Sequence, residues 1–479
     1  MSGEAAPLRR QALPAAGRPE AFPADADFPQ LAVAGDPGLM LEVFRAHLKP
    51  VAGPRYHIED CAPFRFRCRQ STSRCVLQYT LRVVDTATGR RRDQWVTGLV
   101  YARAGEAERL WREMQAGDPR REIPSAWLTF EPVDFIPHLQ MVVQVFPYDR
   151  RLPQLSRVMN GALRRLDPLL LARLGGGRGE WHSTDATVEP TRYRTELGAA
   201  LKYAIQAHDT LTRRTETLRC YLKVYRNEQG SDTFRLLRSW SERTADGRRP
   251  PPYAVVRPIA YVSELRTLAL EEAPGASLQQ ILLQGLDGAG AARAVARAAA
   301  AFNQDDVGIT RRHTVADQLH DVRLAATLVQ WACPDLRARV EAITAAVAAG
   351  LEDVRPAPIH ADLKPDHIFL SGEQVIFIDL DSVALGDPVR DPAHLVAYVA
   401  GRVGLDSVPA ARARAWAAAF VAEYFDRVPA PWRKRFALHC AGALIEVASG
   451  LFRHQEPRWR EQVAAAVVEA ERAMSGDLG

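Results

Sequence analysis

The stretch PIHADLKPDHIFL, Pro358 to Leu370, decides the fold prediction because it joins a short apolar strand to an irregular polar loop. Asp362 lies in this loop, and LSGEQ predicts a tight turn after it. The apolar run VIFI then predicts a buried strand that delivers Asp379 at its C-terminal end. Two carboxylates on one hairpin concentrate negative charge, which is costly unless a metal ion or another cation is shared. The hairpin therefore predicts a magnesium site.

A pair of aspartates in this arrangement suits phosphoryl transfer. The reaction needs an acceptor hydroxyl aimed at the γ-phosphate and cations that hold the spreading negative charge. A loop aspartate orients the hydroxyl and takes its proton, a second aspartate holds magnesium on the phosphates, and a lysine from a separate lobe positions them. Asp362 and Asp379 form such a pair.

HADLKPDHIFL and VIFIDLDSVALGDPVRDPAHLV together resemble the loop and metal motif of the aminoglycoside phosphotransferase and choline kinase-like superfamily, which is protein-kinase-like. The family pattern is HGDLxxxN, then IDxx, then a downstream GDPxxD. The resemblance implies that Asp362 is the catalytic base, that Asp379 is a magnesium ligand and that His360 has a structural role. Asp381 and Asp391 fall where the family often keeps acids, and Asp391 could anchor the catalytic loop through backbone amides.

Two residues of the loop depart from the family pattern. Ala361 replaces a glycine, and His367 stands where the family has asparagine. A neutral imidazole can ligate a cation although magnesium prefers oxygen, so His367 is predicted as a second metal ligand, with manganese as a possible ion. Asp381 either binds a second metal ion or caps the helix that begins near it. Lys364, the third predicted catalytic residue beside Asp362 and His360, either reaches the transferred phosphate or faces solvent.

The nucleotide-binding lobe is predicted upstream of the loop. Lys223 in CYLKVYR lies centrally on a strand, as the phosphate-anchoring lysine of the family does. Gly198 in RTELGAALKY occupies a turn where backbone amides could approach phosphate. Glu271 and Glu272 lie in LALEEAPGASL, which resembles the hinge where backbone groups meet adenine. These residues form the predicted ATP site.

The segment from Cys75 to Tyr101 is repeated at Ala199 to Tyr225. Without a gap, the two segments are identical at eight of 27 positions, against about two expected from typical composition. At the place of Lys223 the first copy has Leu99. We interpret the first copy as a degenerate N-lobe that is retained for packing, for dimerisation or for covering the active cleft.

The predicted fold class is α+β. It consists of a protein-kinase-like bilobal fold, with a small antiparallel-sheet N-lobe and a mainly helical C-lobe, and of an additional degenerate N-lobe-like copy at the N-terminus. The predicted domains are a mobile tail and leading helix at 1–50, the degenerate repeat at 51–155, a linker at 156–185, the N-lobe at 186–275 and the C-lobe at 276–479.

Composition places the chain among globular proteins, with 47% hydrophobic and 25% charged residues. The net charge of +5 comes from scattered arginines, so neither nucleic acid nor a membrane surface is an expected partner. No signal peptide and no uninterrupted apolar span is evident, which predicts a cytoplasmic location. Six cysteines in so long a chain do not indicate a disulfide framework.

The leading functional hypothesis is an ATP-dependent and magnesium-dependent phosphotransferase that acts on a hydroxyl of a small metabolite. A sugar, an amino alcohol or an aminoglycoside-like molecule would be the acceptor, and a homodimer could form through the N-terminal repeat. The alternative is a pseudokinase or nucleotide-binding regulator. It is motivated by His367 and by the open choice between Asp232 and Glu242 as the acidic partner of Lys223. A protein kinase is a weaker third hypothesis, since no long activation loop follows Asp379.

Overall fold

The structure is a computed structural model that describes residues 22–69, 73–174, 180–246, 252–286, 288–306, 308–455 and 458–476. The strands are β1 (Tyr56–Arg69), β2 (Arg74–Asp85), β3 (Arg91–Tyr101), β4 (Val133–Ile136), β5 (Met141–Val145), β6 (Trp181–Arg194), β7 (Gly198–Asp209), β8 (Thr215–Tyr225), β9 (Tyr253–Val255), β10 (Pro258–Val262), β11 (Thr267–Leu270), β12 (Ala276–Ser277), β13 (Ala357–Ile359), β14 (Ile368–Ser371), β15 (Gln374–Phe377) and β16 (Ala384–Gly386). The α-helices are α1 (Leu31–Ala34), α2 (Pro37–His47), α3 (Glu106–Gln115), α4 (Gln154–Met159), α5 (Asp167–Leu171), α6 (Gln229–Asp246), α7 (Leu278–Gln284), α8 (Gly288–Phe302), α9 (Val315–Ala332), α10 (Arg337–Gly350), α11 (Arg390–Ala400), α12 (Ala410–Phe425), α13 (Phe436–His454) and α14 (Trp459–Met474).

These elements give an α+β chain that divides into two units. The first unit comprises Met1–Phe234, Pro258–Glu272 and His454–Pro457, and the second comprises Arg235–Arg257, Ala273–Arg453 and Arg458–Gly479. The predicted leading helix is α2, whereas most of the predicted tail lies outside the described residues.

The first unit contains two antiparallel five-stranded sheets with the same strand order. The first sheet runs β1-β2-β3-β5-β4, and the second runs β6-β7-β8-β11-β10. In each, a helix follows the third strand: α3 in the first and α6 in the second. Register matches as well, because Leu99 pairs with Val142 of β5 and Lys223 pairs with Leu268 of β11. Lys223 and Leu99 therefore occupy equivalent positions.

The turns that join the second and third strands also repeat. The Asp85 carboxylate accepts a hydrogen bond from the amide two residues on, at 3.0 Å, and Asp209 does the same at 3.0 Å. Each turn ends with a left-handed residue, which is Gly89 (φ 68°) in the first and Arg213 (φ 58°) in the second. An aspartate that bonds its own turn backbone is a common reason for this geometry, and it explains why the identical Asp-Thr pairs stand here.

The two faces of the first sheet bury different sets of side chains. One face packs against α3 in a cluster of apolar residues, namely Val76, Leu99, Ala107, Leu110, Met114, Val133 and Val142. Residues further along the same face, among them Trp95, join one face of the second sheet in a continuous core, which includes Phe146, Tyr193, Leu201, Tyr203 and Leu222. The two sheets thus share one hydrophobic core. The opposite face of the first sheet carries Tyr79, which packs against Phe44 of α2.

The predicted linker 156–185 differs from the structure. It contains the end of α4 and all of α5, and β6 already begins at Trp181. Leu163, Leu166 and Leu170 are buried in the shared core. Apolar residues at helical spacing explain the difference. Such a stretch is stabilised when its apolar side chains are buried, whereas a true linker stays solvated. The glycine-rich stretch 175–179 within the predicted linker lies outside the described residues.

The second unit is mainly helical and carries two small sheets. One sheet has the order β12-β14-β15-β9, and the other pairs β13 with β16. The predicted hairpin of the catalytic stretch is β14–β15, with Ile368 opposite Phe377. Because β9 runs parallel to β15, residues 235–257 belong to this unit, although the N-lobe was predicted to extend from 186 to 275.

One helical stretch of the second unit, Ala430–His454, is long and apolar enough to cross a membrane, with a mean hydropathy of 1.3. Its apolar window is 72% buried inside the protein. The core helix of a soluble protein meets the same description, so this stretch is weak evidence for a membrane span.

Candidate active site

The predicted catalytic loop leaves β13 and is held by Asp391 from α11. The Asp391 carboxylate accepts hydrogen bonds from the amides of His360 (2.7 Å) and Ala361 (3.0 Å) and from the side-chain amide of Asn303 (2.9 Å). Asp391 is only 1% exposed. Three charge-assisted bonds to one buried carboxylate fix the loop backbone, so Asp391 anchors the loop.

Asn303 extends this anchor and was missed in the sequence. Its side chain donates to the Pro358 carbonyl at 2.8 Å, and its carbonyl oxygen accepts from the Tyr424 hydroxyl at 2.9 Å. Asn303 is fully buried at the C-terminal end of α8. A polar residue that ends an alanine-rich helix gives no local signal of such a role, because its partners lie far along the chain.

Ala361 adopts a left-handed backbone conformation, with φ of 63°. Glycine reaches this region freely, whereas for a residue with a Cβ atom it costs about 1 kcal/mol or more. The anchor on the Ala361 amide holds the strained residue in place. The family's glycine therefore matches the conformation that this position requires.

His360 ties the loop to the end of the hairpin. Its Nε2–H donates to the Ile378 carbonyl at 2.9 Å, and its Nδ1 accepts from the Asp362 amide at 3.4 Å. The ring is buried and lies 5.9 Å from the ring of His367. Both nitrogens are used by backbone groups, so His360 shapes the loop and orients Asp362.

Asp362 forms an ion pair with Lys364. The Lys364 ammonium donates to Asp362 Oδ2 at 3.1 Å and lies 5.9 Å from the ring of Tyr398. Burial alone would raise the pKa of Asp362, but the charges of Lys364 and His367 outweigh it and lower the pKa to about 2. Asp362 is thus ionised at neutral pH. Lys364 is 8% exposed, so the predicted alternative that it faces solvent is wrong.

His367 presents one ring nitrogen to Asp379. Its Nδ1–H donates to the Asp362 carbonyl at 2.9 Å, while its Nε2 lies 3.2 Å from Asp379 Oδ2. The ring is 3% exposed, and burial followed by the nearby Lys364 charge lowers the pKa of His367 to about 4. The neutral ring therefore directs a lone pair towards a carboxylate oxygen. Such a pair of acceptors is favourable when a cation lies against both, and a ligating histidine usually donates its other N–H in this way.

Asp362, His367 and Asp379 form one group of possible metal ligands. One ligand atom from each lies within 4.8 Å of the others. Asp379 leaves the strand with φ of 62°, which turns its side chain at the strand end. The mixed oxygen and nitrogen donor set fits a divalent cation that accepts imidazole, such as manganese, and also fits magnesium through its carboxylates.

Asp381 is not brought into this group within the described part of the chain. It lies in a 3-10 turn, Leu380–Ser382, and its backbone carbonyl accepts from Arg311 at 3.1 Å. The predicted metal set therefore divides into a cluster with His367 and Asp379, which Asp362 joins, and a separate Asp381.

Asp387 of the GDP segment has a structural setting. Its carboxylate receives two hydrogen bonds from Arg435, at 2.7 and 3.0 Å, and one from His439 at 2.9 Å. Burial would raise the pKa of Asp387, but these donors hold it far below its usual range. Asp387 thus joins β16 to the start of α13.

The predicted nucleotide residues all lie in the first unit. Lys223 is half-buried on β8, on the face opposite the shared core. Gly198 is the first residue of β7, and a Cβ atom there would meet the Val224 carbonyl at 2.9 Å. Close packing against β8 therefore explains this glycine without a phosphate.

The two glutamates of the predicted hinge are paired with basic side chains. Glu271 forms an ion pair with Arg173 at 2.6 Å, and Glu272 lies 3.7 Å from Lys202. Both pairs are partly exposed, and such pairs contribute little to stability. Arg173 lies in the predicted linker, where no sequence pattern indicates a partner for Glu271. In a hinge, backbone groups and not side chains contact the adenine base. These side-chain ion pairs therefore do not test the predicted hinge, which stays a prediction.

The site therefore combines an ionised loop aspartate, Asp362, with a group of possible metal ligands. Residues 207–434 match the family model described as the phosphotransferase enzyme family. This match confirms the superfamily resemblance. The expectation of an enzyme of the phosphotransferase class is confirmed by the same match.

Solved structures similar to the chain include a choline/ethanolamine kinase family protein from Mesorhizobium loti, with 12% identity, a TM-score of 0.38 and coverage of 67% of this chain and 98% of that one. A choline kinase from Cryptosporidium parvum has 10% identity, a TM-score of 0.41 and coverage of 67% and 96%. A GDP complex of a mutant aminoglycoside 2′-phosphotransferase has 11% identity, a TM-score of 0.40 and coverage of 66% and 98%. No curated protein matches by sequence.

Proposed function

We propose that the protein transfers the γ-phosphate of ATP to a hydroxyl of a small molecule. Asp362 would bind and orient the acceptor hydroxyl. One observation carries this proposal: Asp362 is ionised, paired with Lys364 and grouped with His367 and Asp379 on a loop that Asp391 anchors. A phosphotransferase needs a fixed carboxylate beside a cation more than it needs a strong base, since the transition state is loose.

Each residue has a distinct task in this proposal. The Asp362 carboxylate accepts a hydrogen bond from the acceptor hydroxyl and takes its proton as the hydroxyl oxygen bonds to the γ-phosphorus, while the bond from that phosphorus to the β-phosphate oxygen breaks and ADP leaves. Lys364 balances the charge of Asp362 and keeps it ionised. His367 and Asp379 would hold a divalent cation, which supplies positive charge to the phosphates. Within the first unit, Lys223 would hold the α- and β-phosphates.

The acceptor would be an amino alcohol, a sugar or an aminoglycoside-like molecule, since the superfamily resemblance points to these classes. The N-lobe would correspond to the second sheet, the C-lobe to the helical unit, and the first sheet with α3 to a degenerate N-lobe copy. A cytoplasmic location, and dimerisation through that first copy, belong to the same proposal.

The test is nucleotide turnover across a panel of hydroxyl acceptors, read as ADP release and as phosphorylated product by mass spectrometry. We expect product with the intact chain, and a loss of at least about 100-fold in Asp362→Asn. Asp353→Asn is a matched control, because Asp353 is exposed in the same unit and outside the metal group. Product formation that survives in Asp362→Asn would contradict the proposal.

The metal is tested by comparing magnesium with manganese in the same assay. An imidazole ligand favours manganese, so the intact chain should be faster with manganese. His367→Asn restores an oxygen donor and should move the preference towards magnesium. Equal rates with both ions, unchanged in His367→Asn, would remove His367 from the ligand set.

A regulatory nucleotide-binding protein is the second candidate, and one observation favours it over transfer, because amides of the turn that would position the γ-phosphate are already in use. The turn before Gly198 has two amides in use, because the Glu196 amide donates to Asp149 at 2.7 Å and the Leu197 amide donates to the Arg194 carbonyl at 2.9 Å. Those amides are not offered to a phosphate. Nucleotide binding without turnover on any acceptor of the panel would support this candidate over the enzyme.

A further inference from the structure

Two cysteine side chains of the first sheet lie side by side. Cys68 of β1 and Cys75 of β2 are direct partners in the antiparallel ladder, and their sulfur atoms are 3.2 Å apart. Both thiols are free. Direct partners on antiparallel strands have Cα atoms about 4.5–5.5 Å apart, within the range of about 4.4–6.8 Å that a disulfide spans. The two sulfurs could therefore bond after a movement of about 1 Å.

The two thiols differ in exposure and in hydrogen bonding. Cys75 has no exposed surface, whereas Cys68 is partly exposed. The Cys75 thiol donates its hydrogen to the Cys68 sulfur. This hydrogen bond lowers the pKa of Cys68, against the effects of burial and of the Asp25 charge, and the same bond together with burial raises the pKa of Cys75. Cys68 is thus the thiol that meets solvent and ionises first, and Cys75 stays protonated beside it.

Cys61 and Cys220 are ordinary buried cysteines by comparison. Cys61, on the same strand as Cys68, is paired with Leu81 across the ladder and is buried. Cys220 is fully buried in the shared core. Burial raises the pKa of both thiols. A reactive thiol must be both ionised and accessible, and thiols that sense oxidants often have a second cysteine next to them. Cys68 meets these conditions, and Cys61 and Cys220 do not.

We infer that Cys68 and Cys75 form a reversible oxidation site, in which Cys68 reacts with hydrogen peroxide and Cys75 converts the product to a disulfide. First, the Cys68 thiolate attacks one peroxide oxygen. A sulfur–oxygen bond forms, the oxygen–oxygen bond breaks, and the leaving oxygen takes up a proton and departs as water. The Cys75 sulfur then bonds to the Cys68 sulfur, the sulfur–oxygen bond breaks, and the hydroxide leaves as water with the Cys75 proton.

The electrons balance, because the two thiols lose two electrons and the peroxide gains them. In a reducing compartment, disulfides are mostly transient, and a dithiol reductant restores the thiols by exchange. The free pair at 3.2 Å is then the reduced form of the site. This oxidation is independent of the proposed phosphate transfer.

The test exposes the reduced, folded chain to hydrogen peroxide and maps the thiols by mass spectrometry after alkylation and trypsin digestion. Trypsin cuts after Arg67, Arg69 and Arg74, which places the two cysteines on different peptides. We expect these peptides to be joined with the loss of two hydrogens, and to separate after reduction with dithiothreitol. A titration of thiols in denaturant should show the loss of two of the six.

Single substitutions assign the two roles. Cys75→Ala removes the second thiol, so Cys68 should accumulate as a sulfenic acid that dimedone traps. Cys68→Ala removes the attacking thiol, so Cys75 should stay reduced at the same peroxide concentration. Cys61→Ala is the matched control, because it removes a buried thiol from the same strand and should leave the disulfide yield unchanged.

The intact chain decides the matter even if Cys75→Ala does not fold. Cys68 should be modified at least about tenfold faster than Cys220, which has no exposed surface. Equal rates at Cys68 and Cys220 overturn the inference. So does a sulfenic or sulfinic acid at Cys68 of the intact chain without the joined peptides, because Cys75 would then not act as the second thiol.

Discussion

The two sheets of the first unit have the same strand order, but the faces that carry Leu99 and Lys223 are covered differently. In the first sheet, the face that carries Leu99 is closed by α3, and Leu99 has no exposed surface. In the second sheet, the equivalent position is Lys223, which is half-buried on the face away from the shared core. The comparison teaches that the strand order does not decide whether a sheet face becomes a binding surface. In the first sheet, the apolar side chains of α3 close the face around Leu99.

Helix α3 closes the face of the first sheet that carries Leu99. Helix α3 directs Leu110 and Met114 into the cluster around Leu99. A charged group in that cluster would lose its hydration with no buried partner of opposite charge among the cluster's members, which is costly. A lysine at position 99 would therefore be costly, whereas Lys223 lies on a face where it is only half-buried.

The strongest way to break the comparison is Leu99→Lys. The ammonium would be buried among apolar side chains, and we expect a loss of about 3–5 kcal/mol in the free energy of unfolding. Urea unfolding followed by circular dichroism measures it. Leu99→Met is the control of similar volume, with an expected loss below about 1.5 kcal/mol. A Leu99→Lys variant as stable as Leu99→Met would mean that the first face is open.

The reciprocal change, Lys223→Leu, should affect binding rather than folding. We expect the free energy of unfolding to change by less than about 1 kcal/mol, because the site is not closed. AMP-PNP affinity should fall by about 100-fold, since a charge-assisted contact to phosphate is lost. Calorimetry and urea unfolding on one sample separate the two effects. A large loss of stability with unchanged affinity would reverse the roles of the two positions.

The metal group of the second unit should make the free energy of unfolding depend on pH through His367. The unfolded chain binds a proton on His367 below the ordinary pKa of 6.5, whereas the folded chain resists until about 4. Stability should therefore be full above pH 6.5 and fall as the pH drops from 6.5 to 4, by about 3 kcal/mol. Urea titrations across this range in metal-free buffer measure it. His367→Asn should flatten the slope, and Leu99→Met should keep it.

The smallest expected effect is an increase in the free energy of unfolding. Ala361→Gly relieves a positive φ and should raise the free energy of unfolding by about 1 kcal/mol. The added freedom of glycine in the unfolded chain reduces this gain. A thermal shift on the otherwise intact chain detects it. A loss of stability in Ala361→Gly would show that the backbone is not strained there.

The control for this change is Ala357→Gly in the preceding strand. Ala357 lies in β13, and its φ is not among the positive values of the described residues. Glycine relieves nothing at such a position and should lower the free energy of unfolding by roughly 0.5–1 kcal/mol. If the free energy of unfolding falls in Ala357→Gly and rises in Ala361→Gly, the gain comes from the left-handed backbone at position 361.

The sequence predicted what local spacing controls. Asp362, His367 and Asp379 lie on one hairpin, so their approach follows from a turn of known geometry. The equivalence of Leu99 and Lys223 followed from a constant offset along two hairpins. These are contacts between near neighbours or between copies of one pattern.

Contacts between distant segments were not predicted. Asn303 meets Asp391 across 88 positions, and Arg74 meets Glu196 across 122. Neither residue type has a spacing that indicates its partner, since each depends on how whole elements pack. The helices of the predicted linker were missed for the same reason, because Leu163 and Leu170 are explained only by the core they enter.

The shared core limits how this chain can evolve. In a tandem of independent domains, the loss of one copy leaves the other folded. Here Trp95 and Phe146 of the first copy are buried with Leu201 and Leu222 of the second. Removal of the first sheet would therefore expose an apolar face of the second sheet to water. Each sheet depends on the other for the burial of this face.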